Sequence, residues 1–282
     1  MGIPSLDFGG QGERLIFLHA NGYPPACYRP LLGDLAQTFR VSAPLLRPLW
    51  SDQPPHTLRD WHVFSHDLLR YLDEEELESV IAVGHSVGAT TLLRAALWQP
   101  ARFRALILLD PVLFMPSFML FWNLVRMLGL GYRLHPLIPL ALRRRRTFDD
   151  LELVFKAYRR RAIFRYFSDE HLWAYIQGIV QAGPNGSYTL VYSPEWEARV
   201  YFTGVWRDWD LWRNLPNLRP PTLILRGAET DTFLERTARY LRRRAPAVQI
   251  QTLEQTTHLL PLERPQAIAQ AIRAFLERSQ SL

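Results

Sequence analysis

The stretch Gly84-His85-Ser86-Val87-Gly88 sets a serine between two glycines at G-x-S-x-G spacing. Ser79 to Gly84 (SVIAVG) before it reads as a short apolar strand, and ATTLLRAALWQP after it as a helix that stops near Pro100. On so sharp a strand-to-helix turn the serine is held in strained backbone geometry, and side chains two residues away on either side would collide, hence the glycines. The helix start beyond it offers a partial positive charge and free N–H groups, that of Val87 first, which suits the oxyanion of a tetrahedral intermediate. The competing reading is a glycine-rich turn with Ser86 as a helix cap, which motif and context together disfavour. The pattern predicts a nucleophile for acyl transfer.

A serine hydroxyl attacks only when a neighbouring base takes its proton. His258 fits: it follows the last expected strand (VQIQTLE) in Glu254-Gln255-Thr256-Thr257-His258, just before the closing helix. The other histidines are weaker candidates. His19 ends the first strand, His85 neighbours the nucleophile but is expected to point elsewhere, His56, His62 and His66 lie before or on a helix, and His135 and His171 lie in an insertion. The base needs a carboxylate to orient it. Asp231, in Gly227-Ala228-Glu229-Thr230-Asp231 after the strand TLILRG, is the first choice, with Asp110 at the end of FRALILLD and Glu229 as rivals. Asp110, followed by Pro111, reads more simply as a turn residue. A second oxyanion donor is expected from the loop His19-Ala20-Asn21-Gly22-Tyr23-Pro24, whose bland reading is an Asn-Gly turn.

The elements that must position these residues alternate along the chain. Apolar runs at Arg14 to His19, Phe39 to Pro44, Ser79 to Gly84 and Phe103 to Asp110 suit strands buried on both faces, with a helix over Trp61 to Leu72. Alternation returns at Pro221 to Gly227, a helix over Thr232 to Arg244, a strand over Val248 to Leu253 and a helix from Pro265 to Arg278. This predicts an α/β fold with a mostly parallel twisted sheet and helices on both faces, its core split into residues 1–111 and 216–282. Residues 112–215 form a helical cap, an insertion of about a hundred residues where connections of about 2 to 6 are ordinary. Within it, Val112 to Val125 (VLFMPSFMLFWNLV) is almost unbroken apolar sequence. Pro116 inside the run and Arg126 just after it argue against a membrane span, which needs about 20 apolar residues. Two readings stay open. Phe118, Phe121 and Trp122, with Phe114 and Met127, roof an apolar pocket; or part of the run stays exposed and, with Arg143 to Arg146, rests on an anionic membrane surface.

Composition bounds the function. With 48% hydrophobic and 21% charged residues over 282, the chain is neither disordered nor a multi-span membrane protein. The net charge of +6 comes from a basic set in which Lys156 is the one lysine among 33, and so general an arginine excess reads as coding bias rather than a nucleic-acid surface. Cys27 is the single cysteine, so no internal disulfide is expected. Residues Met1 to Gly12 have neither the basic nor the apolar region of a secretion signal, and a cytoplasmic location is the default expectation. There is no ligand-spaced His or Cys cluster and no phosphate-cradling glycine loop, so neither metal nor organic cofactor is implied.

Together these motifs resemble the capped α/β-hydrolase superfamily: HANGYP its oxyanion loop, GHSVG its nucleophile elbow, RGAETD its acid loop and TTHLLPLERP its histidine loop, in the family's order. The resemblance covers residues 10–112 and 216–280, and the cap lies outside it. It places Asn21 and Val87 as the two oxyanion-hole amides, with Ala20 where a glycine is usual. Members acting on haloalkanes or epoxides carry aspartate where this chain has Ser86, so the resemblance implies acyl transfer to water. The expected substrate is a small carboxylic ester with hydrophobic groups. Lactones, activated carbon–carbon bonds and a non-catalytic ligand receptor on the same fold are the alternatives, and the oligomeric state is left open.

Overall fold

The computed structural model describes residues 2–280. Its strands are β1 (Ser5–Gly9), β2 (Arg14–Leu18), β3 (Arg40–Pro44), β4 (Val80–His85), β5 (Phe103–Leu109), β6 (Thr147–Phe148), β7 (Val180–Ala182), β8 (Tyr188–Leu190), β9 (Thr222–Gly227) and β10 (Gln249–Leu253). The helices of the two flanking parts are α1 (Arg29–Leu35), α2 (His62–Glu74), α3 (Val87–Trp98), then α11 (Glu235–Arg244), α12 (Leu260–Glu263) and α13 (Pro265–Gln280). Between β5 and β9 lie α4 (Pro116–Met127), α5 (Gly131–Leu134), α6 (Leu137–Leu142), α7 (Leu151–Arg159), α8 (Asp169–Ile179), α9 (Pro194–Thr203) and α10 (Trp209–Asn214).

Seven strands form one sheet in the order β1-β3-β2-β4-β5-β9-β10. All neighbours are parallel except β1 and β3, which pair antiparallel. Alternation along each central strand divides the core between the two faces of the sheet. Ile16, Leu18, Ala82 and Leu108 join α2, α3 and α11 on one side. Leu15, Phe17, Ile81, Val83 and Ile107 join α1 and α13 on the other. Because both faces are covered, these strands read as continuous apolar runs. The residues between β5 and β9 contribute to both clusters, Trp196 and Trp212 to the first and Tyr175 and Ile176 to the second.

Two features depart from expectation. The edge strand β1 is mostly exposed and lacks the apolar run that marks the others. The segment expected to be a purely helical cap also contains a three-stranded antiparallel sheet, β6-β8-β7. Its β7–β8 connection turns through Asn185 and Gly186, both at positive φ, and is closed by Gly183 N–H donating to Ser187 O at 2.8 Å. That Asn-Gly pair is a hairpin signal, but strands of two or three residues are too short to show period-two alternation. The helices around it are capped locally, α7 by Asp150, α8 by Ser168 and α9 by Ser193 ahead of Pro194. No helix among the described residues is long and apolar enough to cross a membrane.

Candidate active site

Sheet register brings two of the residues together. His85 pairs with Leu109 at the ends of β4 and β5, and Leu109 with Leu225 on β9. The next residues, Ser86 and Asp110, therefore emerge side by side at the carboxyl edge, with Ser86 N–H donating to Leu109 O at 3.0 Å and Asp110 N–H to Leu225 O at 2.8 Å. Ser86 has φ 57° and ψ −120°, the strained geometry expected between strand and helix. The glycines around it are sterically required. A Cβ on Gly84 would meet Leu92 Cδ1 at 2.7 Å and the Gly88 backbone at 2.8 Å, and one on Gly88 would meet the carbonyl carbon of Leu18 at 2.7 Å.

His258 completes a relay. Its Nε2 lies 3.0 Å from Ser86 Oγ and its Nδ1 2.6 Å from Asp110 Oδ2. An ionised carboxylate can only accept, so Nδ1 carries the proton and Nε2 is left to accept from the serine hydroxyl. Asp110 is fully buried, and besides His258 it accepts from Thr230 Oγ1 at 2.5 Å and from the Gly227 amide at 3.3 Å. This corrects the expectation that Asp231 is the acid. In the loop after β9 it is Thr230 that turns inward to Asp110, and Asp231 is left exposed, its carboxylate accepting from Thr232 Oγ1 at 3.1 Å. Glu229, the other rival, is also exposed and is held by Arg165 at 2.6 Å and Tyr166 at 2.5 Å.

Of the two expected oxyanion donors, Val87 follows Ser86 directly. Val87 opens α3, so its amide has no acceptor within the helix. In the other expected donor loop, Ala20 N–H donates to Tyr28 Oη at 3.3 Å. The Asn21 side chain is clamped by the inserted segment: its Nδ2 donates to Glu197 O at 3.0 Å and its Oδ1 accepts from Tyr192 Oη at 3.0 Å. Behind this clamp Glu197 pairs with Arg144 at 2.5 Å; burial raises the Glu197 carboxyl above its ordinary range, and Arg144 opposes that rise.

Two buried histidines that sequence reasoning set aside tie the loops together. His85 Nε2 donates to the His258 carbonyl at 2.8 Å, so its Nδ1 accepts from Tyr28 Oη–H at 2.7 Å, and the same phenol oxygen receives the Ala20 amide. Burial, and then the neighbouring His258, push His85 well below the usual imidazole range, so it stays neutral. His19 donates from Nδ1 to Ala20 O at 2.8 Å and accepts Leu46 N–H on Nε2 at 3.1 Å; burial lowers it to about 4. Strand alternation was the available signal for His85, since it shares a sheet face with the buried Ile81 and Val83.

The three expected pocket residues do not share one wall. Trp122 is only 7% exposed and packs into the core with Met119 and Val125, Phe118 is half-buried against it, and Phe121 is 58% exposed. Residues 121 and 122 are consecutive on α4 and so point about 100° apart.

The sequence matches the family model described as the alpha/beta hydrolase family over residues 15–271. A curated relative from Caballeronia sordidicola named epoxide hydrolase is 32% identical over 108 residues, 34% of this chain and 30% of the relative, so the match spans less than a third of that protein. Among solved structures, E-2-(acetamidomethylene)succinate hydrolase superposes with a TM-score of 0.76 at 19% identity over 97% of this chain and 94% of its own. A thermophilic esterase from Thermogutta terrifontis, solved with malate bound, gives 0.68 at 21% identity over 98% and 93%. At such identities the likeness is one of fold.

Proposed function

The chain belongs to the alpha/beta hydrolase family, and within it we propose a serine hydrolase that cleaves carboxylic esters bearing hydrophobic groups. The observation that carries this reading is the continuous line from buried Asp110 through His258 to Ser86 Oγ, at 2.6 and 3.0 Å. As Ser86 Oγ attacks the ester carbonyl, its proton passes to His258 Nε2 and Asp110 stabilises the imidazolium that forms. The Asn21 and Val87 amides receive the developing oxyanion. His258 then returns the proton to the departing alkoxide, leaving an acyl-enzyme, and water attacks the acyl carbon with His258 again as base. The preference for hydrophobic groups is supported by the apolar make-up of the inserted segment, whose Met119, Trp122 and Trp196 belong to the same core cluster as Val87. Apolar substrate surface gains most from leaving water for apolar surroundings.

The test is fluorophosphonate labelling together with a panel of p-nitrophenyl esters of increasing acyl length and one lactone. Labelling and turnover are expected in the wild type and absent in Ser86→Ala, with specificity rising from acetate toward medium chains. Acetate as the best ester, with activity collapsing for longer chains, overturns the hydrophobic preference. Preference for the lactone reassigns the bond cleaved, and absence of both labelling and turnover leaves a ligand receptor.

A further inference from the structure

Helix α4 is apolar on both sides, and only one side is covered. Met119, Trp122 and Val125 are buried, whereas Leu120, Phe121, Leu124, Met127 and Leu128 form a stripe at helical spacing that is between 54% and 75% exposed. The exposed apolar surface continues through Leu134 on α5, which packs on α4, and Leu137 and Leu140 on α6, which packs on α5. An uncovered patch of this extent marks an interaction surface.

The charges around the patch identify what it meets. From Pro111 to Phe148 the chain has six arginines and no acidic residue. Some are engaged within the fold: Arg126 lies over the Phe202 and Trp206 rings, Arg144 pairs with Glu197, and Arg146 with Glu195. Arg133 and Arg143 are exposed and form no ion pair among the described residues. We propose that α4, α5 and α6 dock on an anionic phospholipid surface, the leucine and methionine stripe entering the boundary between headgroups and acyl chains while Arg133 and Arg143 meet the phosphates. An apolar face on a segment that carries arginines and no carboxylate of its own is the pattern of a helix lying in the plane of a membrane interface. α4 spans 12 residues, too few to cross the hydrocarbon core, so it lies on the membrane and not through it. A second copy of the chain fits less well, because two-fold pairing sets each surface against itself and would bring the unpaired Arg133 and Arg143 toward their own counterparts.

Docking is independent of the ester reading and is tested without turnover. The intact protein is sedimented with phosphatidylcholine vesicles, with and without about one third phosphatidylglycerol, at low and high salt. Binding is expected only to the anionic vesicles, weakened by salt, falling about fivefold with each of Arg133→Gln and Arg143→Gln. Leu124→Asp with Met127→Asp should lower it by about a hundredfold or more while leaving the circular dichroism spectrum and thermal midpoint unchanged, since both side chains already face solvent. The proposal is overturned if the folded wild type binds neither vesicle at low salt, or if binding survives the double aspartate variant. It is also overturned by a lipid-free dimer that this variant converts to monomer, which assigns the face to a second copy.

Discussion

Replacing Asp110 by asparagine keeps the shape of the side chain and changes only what its end can do. In the native site Oδ2 accepts from both His258 Nδ1 and Thr230 Oγ1, and Oδ1 accepts from the Gly227 amide. The amide has two ways to sit. With NH2 in place of Oδ2, His258 must move its proton to Nε2 to avoid facing donor with donor, and Nε2 can no longer take the serine proton; a reversed tautomer of this kind costs about 10⁴ in kcat. With NH2 in place of Oδ1, the tautomer survives, but the imidazolium formed during attack loses its anion. A charge pair about 4 Å apart at an effective dielectric of about 20 is worth about 4 kcal/mol, or about three powers of ten. Either way Asp110→Asn should lower kcat on a soluble p-nitrophenyl ester by about 10³ to 10⁴ with little change in KM, and slow fluorophosphonate labelling in parallel. Asp231→Asn should stay within about twofold, because that carboxylate is exposed and accepts from the neighbouring Thr232. If Asp231→Asn lost orders of magnitude while Asp110→Asn kept more than about a tenth of its activity, the relay drawn through Asp110 would be wrong.

His85→Phe leaves the Tyr28 hydroxyl proton without its acceptor and the His258 carbonyl without its donor, each costing about 1 to 3 kcal/mol, so kcat should fall about ten- to a hundredfold at nearly constant KM in steady-state assays. Arg144→Ala strands the largely buried Glu197 carboxylate and should lower unfolding free energy by about 3 to 5 kcal/mol in urea, whereas Arg144→Ala with Glu197→Gln should recover much of it. Acid should also destabilise the fold through His19. Its native value of about 4 lies below the 6.5 of an unperturbed imidazole, so between those values the unfolded chain binds a proton that the native chain does not, and stability present above pH 6.5 is lost as pH falls toward 4. At pH 5 that loss is about 2 kcal/mol. Asp208, raised by burial to about 6, acts in the opposite sense, so the measurement is the difference between wild type and His19→Asn in urea midpoints at pH 7 and pH 5, and equal slopes in the two proteins would refute it.

What could be read from the sequence was what local sterics or burial force. The elbow glycines were legible because a Cβ at either position would strike Leu92 or Leu18, and the central strands because a sheet covered on both faces leaves no polar positions to interrupt them. His258 was legible from its place after the last strand. The acid was not, because Asp110 and Asp231 both follow parallel strands that end at the same edge, and sequence spacing does not say which carboxylate turns inward. Two facts of the folded backbone decide it. The adjacency of β5 to β4 puts Asp110 one strand from the serine, and a positive φ of 43° at Asp110 turns the chain there, while Thr230 fills the inward place that Asp231 would need. Which of Phe121 and Trp122 would be covered was equally illegible, since an apolar run gives composition but not the rotation of its helix.

The neutrality of the supporting histidines is the remaining physical requirement of the site. The rings of His85 and His258 are 4.9 Å apart, so a proton on His85 would set a positive charge against the imidazolium that must form when Ser86 gives up its proton. Asparagine or glutamine could supply one donor and one acceptor without that hazard, but neither has the rigid reach of a ring between the Tyr28 hydroxyl and the His258 carbonyl. Burial resolves the conflict. By excluding water from His85 it makes the charged form costly, so a single imidazole can brace the oxyanion loop and the histidine loop while its charge stays off the base it supports.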